Sequence, residues 1–495
     1  MIQTEEVCMS ENNAKMQLLL EYLREILNCF RPAFSRNAAF ENFKLAVIGF
    51  LIADETTAVT DLVRYFDYND DLDRLYEKLI KFFHASSYSI QSLQEIWLDV
   101  IGELTCSVKI GKFSLLAGDG VKVMKSGRHM AAVKKMYQES ESVAKPAYIW
   151  GHMYGSTGII IGNGDAKSFC LPIETAIQDG NSLIETWRNP SYTSDSHVVQ
   201  MMASAGKCLK TVRSCILAMD RYFLTIPAVR ALATTNALKE HVQQELSMIL
   251  VTKTRRNGIA FEPPPLEKNS HKRGRKRKKG ASVKLYELFE QKKDEFVKTK
   301  IHIYGKEQEV EYYCIDLLWG LGLYYPMRFV LVKNNGMCSI LVSSSDTLTP
   351  EQIIRSYAFR WECEAGFKDA KHTIGTFSSH FWTRSMPRLN RYSRKGSIDP
   401  LACIDNEQSK KKIISNYEAF GKFAMVGNIA QGILQLLSLK AHALEYEPTK
   451  YLRSRSQQVM SEDSMNYELR KVIKWGIEPF CSEPIPRLIT PMLAS

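Results

Sequence analysis
Three observations predict an α/β fold built on a mixed sheet. Two short apolar runs, FSLLAGD at 113–119 and CILAMD at 215–220, have the pattern of buried central strands, and each ends in a carboxylate. Helix and strand patterns alternate after the first run, with helices over 196–211 and 226–243 and a strand over 246–253. Helical periodicity brackets the sheet, over 14–105 before it and over 408–442 and 463–478 after it.

The first hundred residues read as short helices. Apolar positions recur with helical spacing in AKMQLLLEYLREILNCF, FENFKLAVIGFLI, TAVTDLVRYF, LDRLYEKLIKFF and IQSLQEIWLDVI, separated by polar breaks. Such a string is either a DNA-reading domain, with a helix-turn-helix near 57–83, or a small bundle used for packing or dimerisation. No strongly basic helix stands out to decide between them.

Bulk composition narrows the function classes. The chain of 495 residues is 45% hydrophobic and 24% charged, ordinary for a globular protein of two to four domains. No stretch of about 18 residues is both apolar and free of charge, so no membrane span is expected. The acidic, polar start MIQTEEVCMSENN does not resemble a secretory signal. Eleven scattered cysteines without a C-x-x-C pair suit a reducing compartment, arguing against a disulfide framework or a structural zinc site. These features predict a cytoplasmic protein. The net charge of +11 points to a polyanionic partner, and seven of the basic residues lie in one run, HKRGRKRKKG at 271–280.

Each strand-end aspartate alone is a weak signal, since Asp-Gly turns and Asp helix caps are common. Their surroundings strengthen the first. After Asp119 come Lys122, Lys125, Arg128, His129, Lys134 and Lys135, with no acid until Glu139. A carboxylate beside a basic segment suits a site that holds metal and grips a phosphate backbone. Between the aspartates, KPAYIWGHMYG and GIIIGNGDAKSFCLPI read as further strands joined by a Gly-rich turn.

Asp220 lies far upstream of the next candidate acid, Glu364, so a segment is inserted between them. Residues 255–285 read as a linker, with three prolines at 263–265 followed by Lys272, Arg273, Arg275, Lys276 and Arg277. That run is either a nucleic-acid contact or a solvated charged loop. From 297 the pattern turns to strand, and Asn334-Asn335-Gly336 marks a hairpin between MRFVLVK and MCSILVS.

The stretch 349–372, TPEQIIRSYAFRWECEAGFKDAKH, then reads as one helix. Thr349 serves as N-cap, Pro350 as first helical residue, Gln352 completes a capping box, and Gly375 is the stop. At roughly 100° per residue, Tyr357, Arg360, Glu364 and Lys371 fall within about 60° of one another. Ile354, Ala358, Trp361 and Ala365 form a neighbouring apolar stripe. Two strand-end aspartates and a helix-borne glutamate, with cations alongside, match the needs of metal-assisted phosphoryl transfer. Carboxylates hold Mg²⁺ and leave positions open for phosphate oxygens.

The spacing Tyr357, two residues, Arg360, three residues, Glu364, six residues, Lys371 resembles the Tyr-Arg-Glu-Lys signature of a large group of insertion-sequence DDE transposases. GDGVK around Asp119, MDRYF around Asp220, Gly151-His152, the GRKRK stretch and HTIGTFSSHFW resemble other regions of that group, over roughly 40–390. The resemblance implies a ribonuclease-H-like catalytic core interrupted by a β-rich insertion. It divides the chain into a helical domain at 1–105, core at 106–254, insertion at 255–345, core again at 346–390 and a helical region at 391–495. It implies cut-and-paste DNA transposition, with Asp119, Asp220 and Glu364 binding two Mg²⁺ or Mn²⁺ ions. Tyr357, Arg360 and Lys371 would hold DNA phosphates. The partners implied are the terminal repeats of the element and target double-stranded DNA, with a dimer in the paired-end complex and nucleoid association in a prokaryote. Some members form a DNA hairpin with the help of an aromatic residue in the insertion. Trp319 lies in that region and is read as core packing. Two rival readings stay open: a plain nuclease of the same fold, and a non-catalytic DNA-binding derivative.

Overall fold
The computed structural model describes residues 2–54, 56–64, 66, 72–104, 107–138, 146–162, 167–265, 277–391, 399–450 and 459–473, with side chains from residue 11 onward. Four helices come first: α1 (Ile2–Cys29), α2 (Asn37–Ile52), α3 (Leu72–His84) and α4 (Ile90–Leu104). The expected helix pair near 57–83 is a 3-10 turn at Val59–Leu62 and the single helix α3, with 67–71 outside the described residues.

The sheet opens with β1 (Lys109–Ile110), β2 (Phe113–Met124), β3 (Lys134–Tyr137), β4 (Tyr148–Gly162) and β5 (Ser168–Ile177). The runs at 145–155 and 158–173, expected as two strands, are instead divided between β4, one continuous strand, and β5. Gly151, Gly155 and Gly158 lie within β4 rather than in a turn. Gly151 sits where a Cβ would come within 1.9 Å of the Val123 carbonyl oxygen, so close strand approach accounts for it.

Helices α5 (Ser182–Arg188), α6 (His197–Lys207) and α7 (Leu209–Val212) lead to β6 (Ser214–Met219). Helices α8 (Ile226–Asn236) and α9 (Lys239–Gln243) lead to β7 (Ser247–Lys253). Strands β8 (Ile259–Phe261) and β9 (Ser282–Lys284) and helix α10 (Leu288–Gln291) follow. Four antiparallel strands come next: β10 (Val297–Ile303), β11 (Lys306–Trp319), β12 (Tyr325–Asn334) and β13 (Met337–Ser343). Asn335 and Gly336 form the expected hairpin turn, both with positive φ, between the paired residues Asn334 and Met337. The chain then forms α11 (Pro350–Ala358), α12 (Arg360–Asp369), α13 (Glu407–Ala443) and α14 (Glu462–Ile473).

Among the described residues, thirteen strands form one mixed sheet, in the order β3–β4–β2–β6–β7–β13–β12–β11–β8–β9, with β1 also on β2, β5 on β4 and β10 on β11. Strands β2, β6 and β7 run parallel, and β4 is antiparallel to β2 and β5. β13 joins the outer edge of β7 through Leu341–Ser343, so the later strands extend the same sheet.

The two faces of the central strands bury different neighbours. Leu116, Leu217 and Met219 point to the side of α6 and α8, where they meet Met201, Met202 and Leu232. Leu115, Ala117, Ile216 and Ala218 point to the opposite side, where Ile353, Ile354, Ala358 and Cys363 of α11 and α12 cover them. Burial on both faces explains why these strands read as unbroken apolar runs.

α13 is buried along most of its length and packs against β5 and against α1, α2, α3 and α4. The N-terminal helices thus close around a helix from the last hundred residues. Among the described residues, no helix is long and apolar enough to cross a membrane.

Candidate active site
The site grows from strand phase. Side chains alternate between sheet faces, so Asp119 shares a face with Leu115 and Ala117, and Asp220 continues the phase of Ile216 and Ala218. Both aspartates therefore emerge on the side covered by α11 and α12. In the parallel pair β2–β6 the last partners are Gly118 and Met219, and Asp119 and Asp220 are the next residues on each strand. Asp220 ends β6 and begins a 3-10 turn, its carbonyl held by the Thr252 hydroxyl at 2.9 Å.

The third acid comes from the helix pair. Thr349 Oγ1 accepts from the Gln352 N–H at 3.3 Å, and Gln352 Oε1 accepts from the Thr349 N–H at 3.0 Å, which is the expected capping box. The single expected helix is instead α11 and α12, meeting at Phe359. The backbone stays right-handed there, with the Glu362 N–H reaching the Phe359 carbonyl at 3.0 Å. A π-turn over Ala370–Ile374 follows, and Gly375 at φ +72° ends the helical path as expected. Lys371 lies in that wider turn and is exposed. Trp361, expected in the apolar stripe, is 58% exposed; Ile353 and Cys363 fill the core side instead.

Arg360 joins the strand acid to the helix acid. Its Nη1 lies 2.7 Å from Glu364 Oε1 and 3.7 Å from Asp119 Oδ2. Its guanidinium carbon stands 5.7 Å from the centre of the Tyr357 ring, and its buried Nε has no hydrogen-bond partner. Burial pushes the Asp119 carboxyl up to about 6, a change that the Gly120 N–H at 2.7 Å and Arg360 oppose and that Asp220 and Glu364 reinforce. The Tyr357 phenol is pushed up by burial, with Arg360 opposing and Asp220 adding to the shift. Asp119, Asp220, Tyr357, Arg360 and Glu364 are thus one electrostatic neighbourhood, built from two strand ends and a helix.

As the chain stands, the cation between two of the acids is the guanidinium. Among the described residues no group of three or more His, Cys, Asp or Glu side chains is arranged to hold a metal ion. The eight cysteines whose side chains are described are all free.

The other expected DNA contacts divide. Lys122 and Arg128 are exposed, and the Lys122 ammonium donates to the Tyr137 carbonyl at 2.8 Å. Lys125 is corrected: it is 2% exposed, and its Nζ donates to the Phe377 and Ser379 carbonyls at 2.6 Å each. Burial lowers its pKa to about 7. Its role is to tie the end of β2 to the segment after the π-turn. That segment also meets Arg128 and His129 through main-chain bonds from Leu389 and Thr383, and Arg391 donates to the Ser126 carbonyl. Arg277 is exposed, whereas Lys272, Arg273, Arg275 and Lys276 lie outside the described residues.

His152 is fully buried, bonded through Nε2 to the Ala131 carbonyl, with burial lowering its pKa to about 3. It is a neutral core histidine. Trp319 is half-buried against the insertion's apolar cluster, next to Tyr325. A cavity of about 900 Å³ opens between α4, β5, α5 and α13, and none of the three acids lines it. Glu364 is 39% exposed, whereas Asp119 and Asp220 are half-buried.

One neighbour was not read from the sequence. Tyr304, at the tip of the β10–β11 hairpin, feels the charges of Arg360 and Glu364. The available signal was Tyr304-Gly305, a two-residue turn pair between strands. No protein-family model matches the chain, and no curated protein matches it.

Proposed function
We propose that the protein is a DNA transposase, a metal-dependent endonuclease and strand transferase that acts on the ends of its own mobile element. The observation that carries this reading is the placing of Asp119 and Glu364 on either side of Arg360, with Asp220 at the neighbouring strand end acting on Asp119, and with Arg360 and Glu364 on the helix bearing the Tyr-Arg-Glu-Lys spacing. A ribonuclease-H-like core is supported by the strand order β5–β4–β2–β6–β7, with β4 antiparallel to its neighbours and the acid-bearing helix across one face.

Carboxylates are the ligand type that a hard divalent cation takes, and here the Arg360 guanidinium stands between Asp119 and Glu364. A carboxyl pushed up to about 6 by burial and by two nearby acids is relieved by added positive charge. Asp119, Asp220 and Glu364 would hold Mg²⁺ or Mn²⁺, two ions in this reading, which supply charge neutralisation and a more acidic attacking hydroxyl. The remaining work belongs to the chain. Arg360 presents a planar guanidinium, a group suited to a phosphate oxygen. Tyr357 flanks it with a phenol. Lys371, Lys122, Arg128 and Arg277 are exposed cations for the flanking backbone. DNA, and through it nucleoid association, is the partner that this charge arrangement favours.

The test is cleavage of a DNA fragment carrying the element's end, with and without Mg²⁺, by the wild-type chain and by Glu364→Gln. The substitution keeps shape and a hydrogen-bonding group but removes charge. Metal-dependent nicking at the end, lost in the variant while binding persists, supports the transposase. Nicking without end preference favours a plain nuclease, and binding without nicking by the wild type favours a non-catalytic derivative. Equal cleavage by both proteins removes Glu364 from the mechanism.

A further inference from the structure
The β10–β11 hairpin closes through a two-residue loop, Tyr304-Gly305, between the paired residues Ile303 and Lys306. Both loop residues have positive φ, 54° and 69°. That turn favours Asn, Asp or Gly at its first position, and an aromatic residue there is strained. Packing does not account for the choice. Tyr304 is 60% exposed, and a Cβ added at Gly305 would meet nothing within 4 Å. A strained, exposed aromatic residue on a loop tip is a feature that functional sites retain.

The hairpin is fixed firmly against the signature helix. Ile301 and Ile303 are buried in the same cluster as Ile353, Ile354 and Ala358. Tyr312, on the facing strand, hydrogen-bonds the Glu351 carboxylate in the first turn of α11. Lys298–Glu311 and Lys300–Glu307 pair across the two strands. The hairpin is thereby held along α11, which ends at Ala358, two residues before Arg360, and the charges of Arg360 and Glu364 reach the Tyr304 phenol. Tyr304, 60% exposed, then offers a hydroxyl donor near the Arg360 guanidinium.

We propose that the Tyr304 hydroxyl donates a hydrogen bond to a DNA phosphate that Arg360 also engages, making the hairpin tip part of the phosphate grip. This rests on the reading of the site as a nucleic-acid phosphoryl-transfer centre. The ligand chemistry is a backbone phosphodiester; the role belongs to the hydroxyl rather than to stacking by the ring.

The experiment uses the full chain and a fluorescein-labelled duplex taken from the DNA flanking its coding sequence. Binding is followed by anisotropy in Ca²⁺, and cleavage by the wild type in Mg²⁺. Tyr304→Phe removes only the hydroxyl. Tyr304→Asn removes hydroxyl and ring but suits the turn, so its melting temperature is expected to equal or exceed that of the wild type. Both variants are expected to bind about tenfold more weakly. A scan of neutral methylphosphonates along the strand is expected to find one position that weakens the wild type more than it weakens Tyr304→Phe, the remainder being the contact with Arg360. Wild-type affinity in Tyr304→Phe overturns the proposal, including the case where only Tyr304→Asn is weakened, which would assign the contact to the ring. If the wild type neither binds nor cleaves, the transposase reading falls as well; normal wild-type cleavage with unaffected Tyr304 variants removes this proposal alone.

Discussion
Arg360 lies closer to Glu364 than to Asp119, 2.7 Å against 3.7 Å, so the helix supplies both an acid of the site and the cation that steadies it. The pair with Glu364 is an i, i+4 contact with Glu364 39% exposed, and alone it stabilises by well under about 1 kcal/mol. The reach to Asp119, whose side chain is 26% exposed, matters more, because that carboxylate is the less hydrated one.

Arg360→Ala should therefore destabilise the metal-free protein by about 1–3 kcal/mol, since it leaves neighbouring acids without a counter-charge. Millimolar Mg²⁺ should narrow that gap. Urea denaturation of both proteins in EDTA and in Mg²⁺ measures it, and an equal gap in the two buffers would contradict the shared role of guanidinium and metal.

Asp119 sets a pH dependence with a definite sign. Its folded pKa of about 6 lies above the ordinary aspartate value of 3.8, so between roughly pH 4 and 6 the folded state holds a proton that the unfolded state has lost. Stability from this group is present below that window and is lost as pH rises through it. Asp119→Asn should be more stable than the wild type by about 1–3 kcal/mol at pH 8 in EDTA, and the two should converge near pH 4. Denaturation curves at the two pH values decide it.

Lys125 gives the opposite slope. Its folded pKa of about 7 lies below the ordinary lysine value of 10.5, so between those values the unfolded state carries the extra proton. Stability should rise with pH through that window. Lys125→Met should lose this component of the slope, and should cost about 1–3 kcal/mol at pH 7 by leaving the Phe377 and Ser379 carbonyls without their donor. A pH series of melting curves on both proteins tests the two effects together.

The ends of the signature helix should differ in sensitivity. Thr349→Ala removes one cap bond and should cost about 1 kcal/mol. Gly375→Ala should cost at least about 2 kcal/mol, because φ is +72° and the new Cβ would meet the Thr56 carbonyl oxygen at 2.1 Å. Urea midpoints for the two variants rank them.

What was legible in the sequence was what local physics controls. The cap at Thr349, the stop at Gly375 and the hairpin turn at Asn335-Gly336 follow from backbone chemistry within a few residues. The apolar runs ending in Asp119 and Asp220 were legible because a strand buried on both faces has no polar positions to interrupt it. Strand phase then placed both acids on one side, which spacing alone does not reveal. Lys125 was misread because charge in a sequence carries no burial, and its partners lie in a segment more than two hundred residues away. The glycines of β4 were misread as a turn because close strand approach and a turn both call for glycine. Tyr304 went unread because its importance comes from where a hairpin ends in space.

The course of α13 sets the order in which the molecule can assemble. α2 is apolar on nearly every side, and much of what covers it comes from α13 and α14, some four hundred residues later. During synthesis the first-made helices must wait, exposed and aggregation-prone, until the last-made ones leave the ribosome. A chain stopped before residue 407 would carry all three acids and still lack the partner its opening helices need. The helices that enclose α2 are thus present only once residues 407–473 have been made.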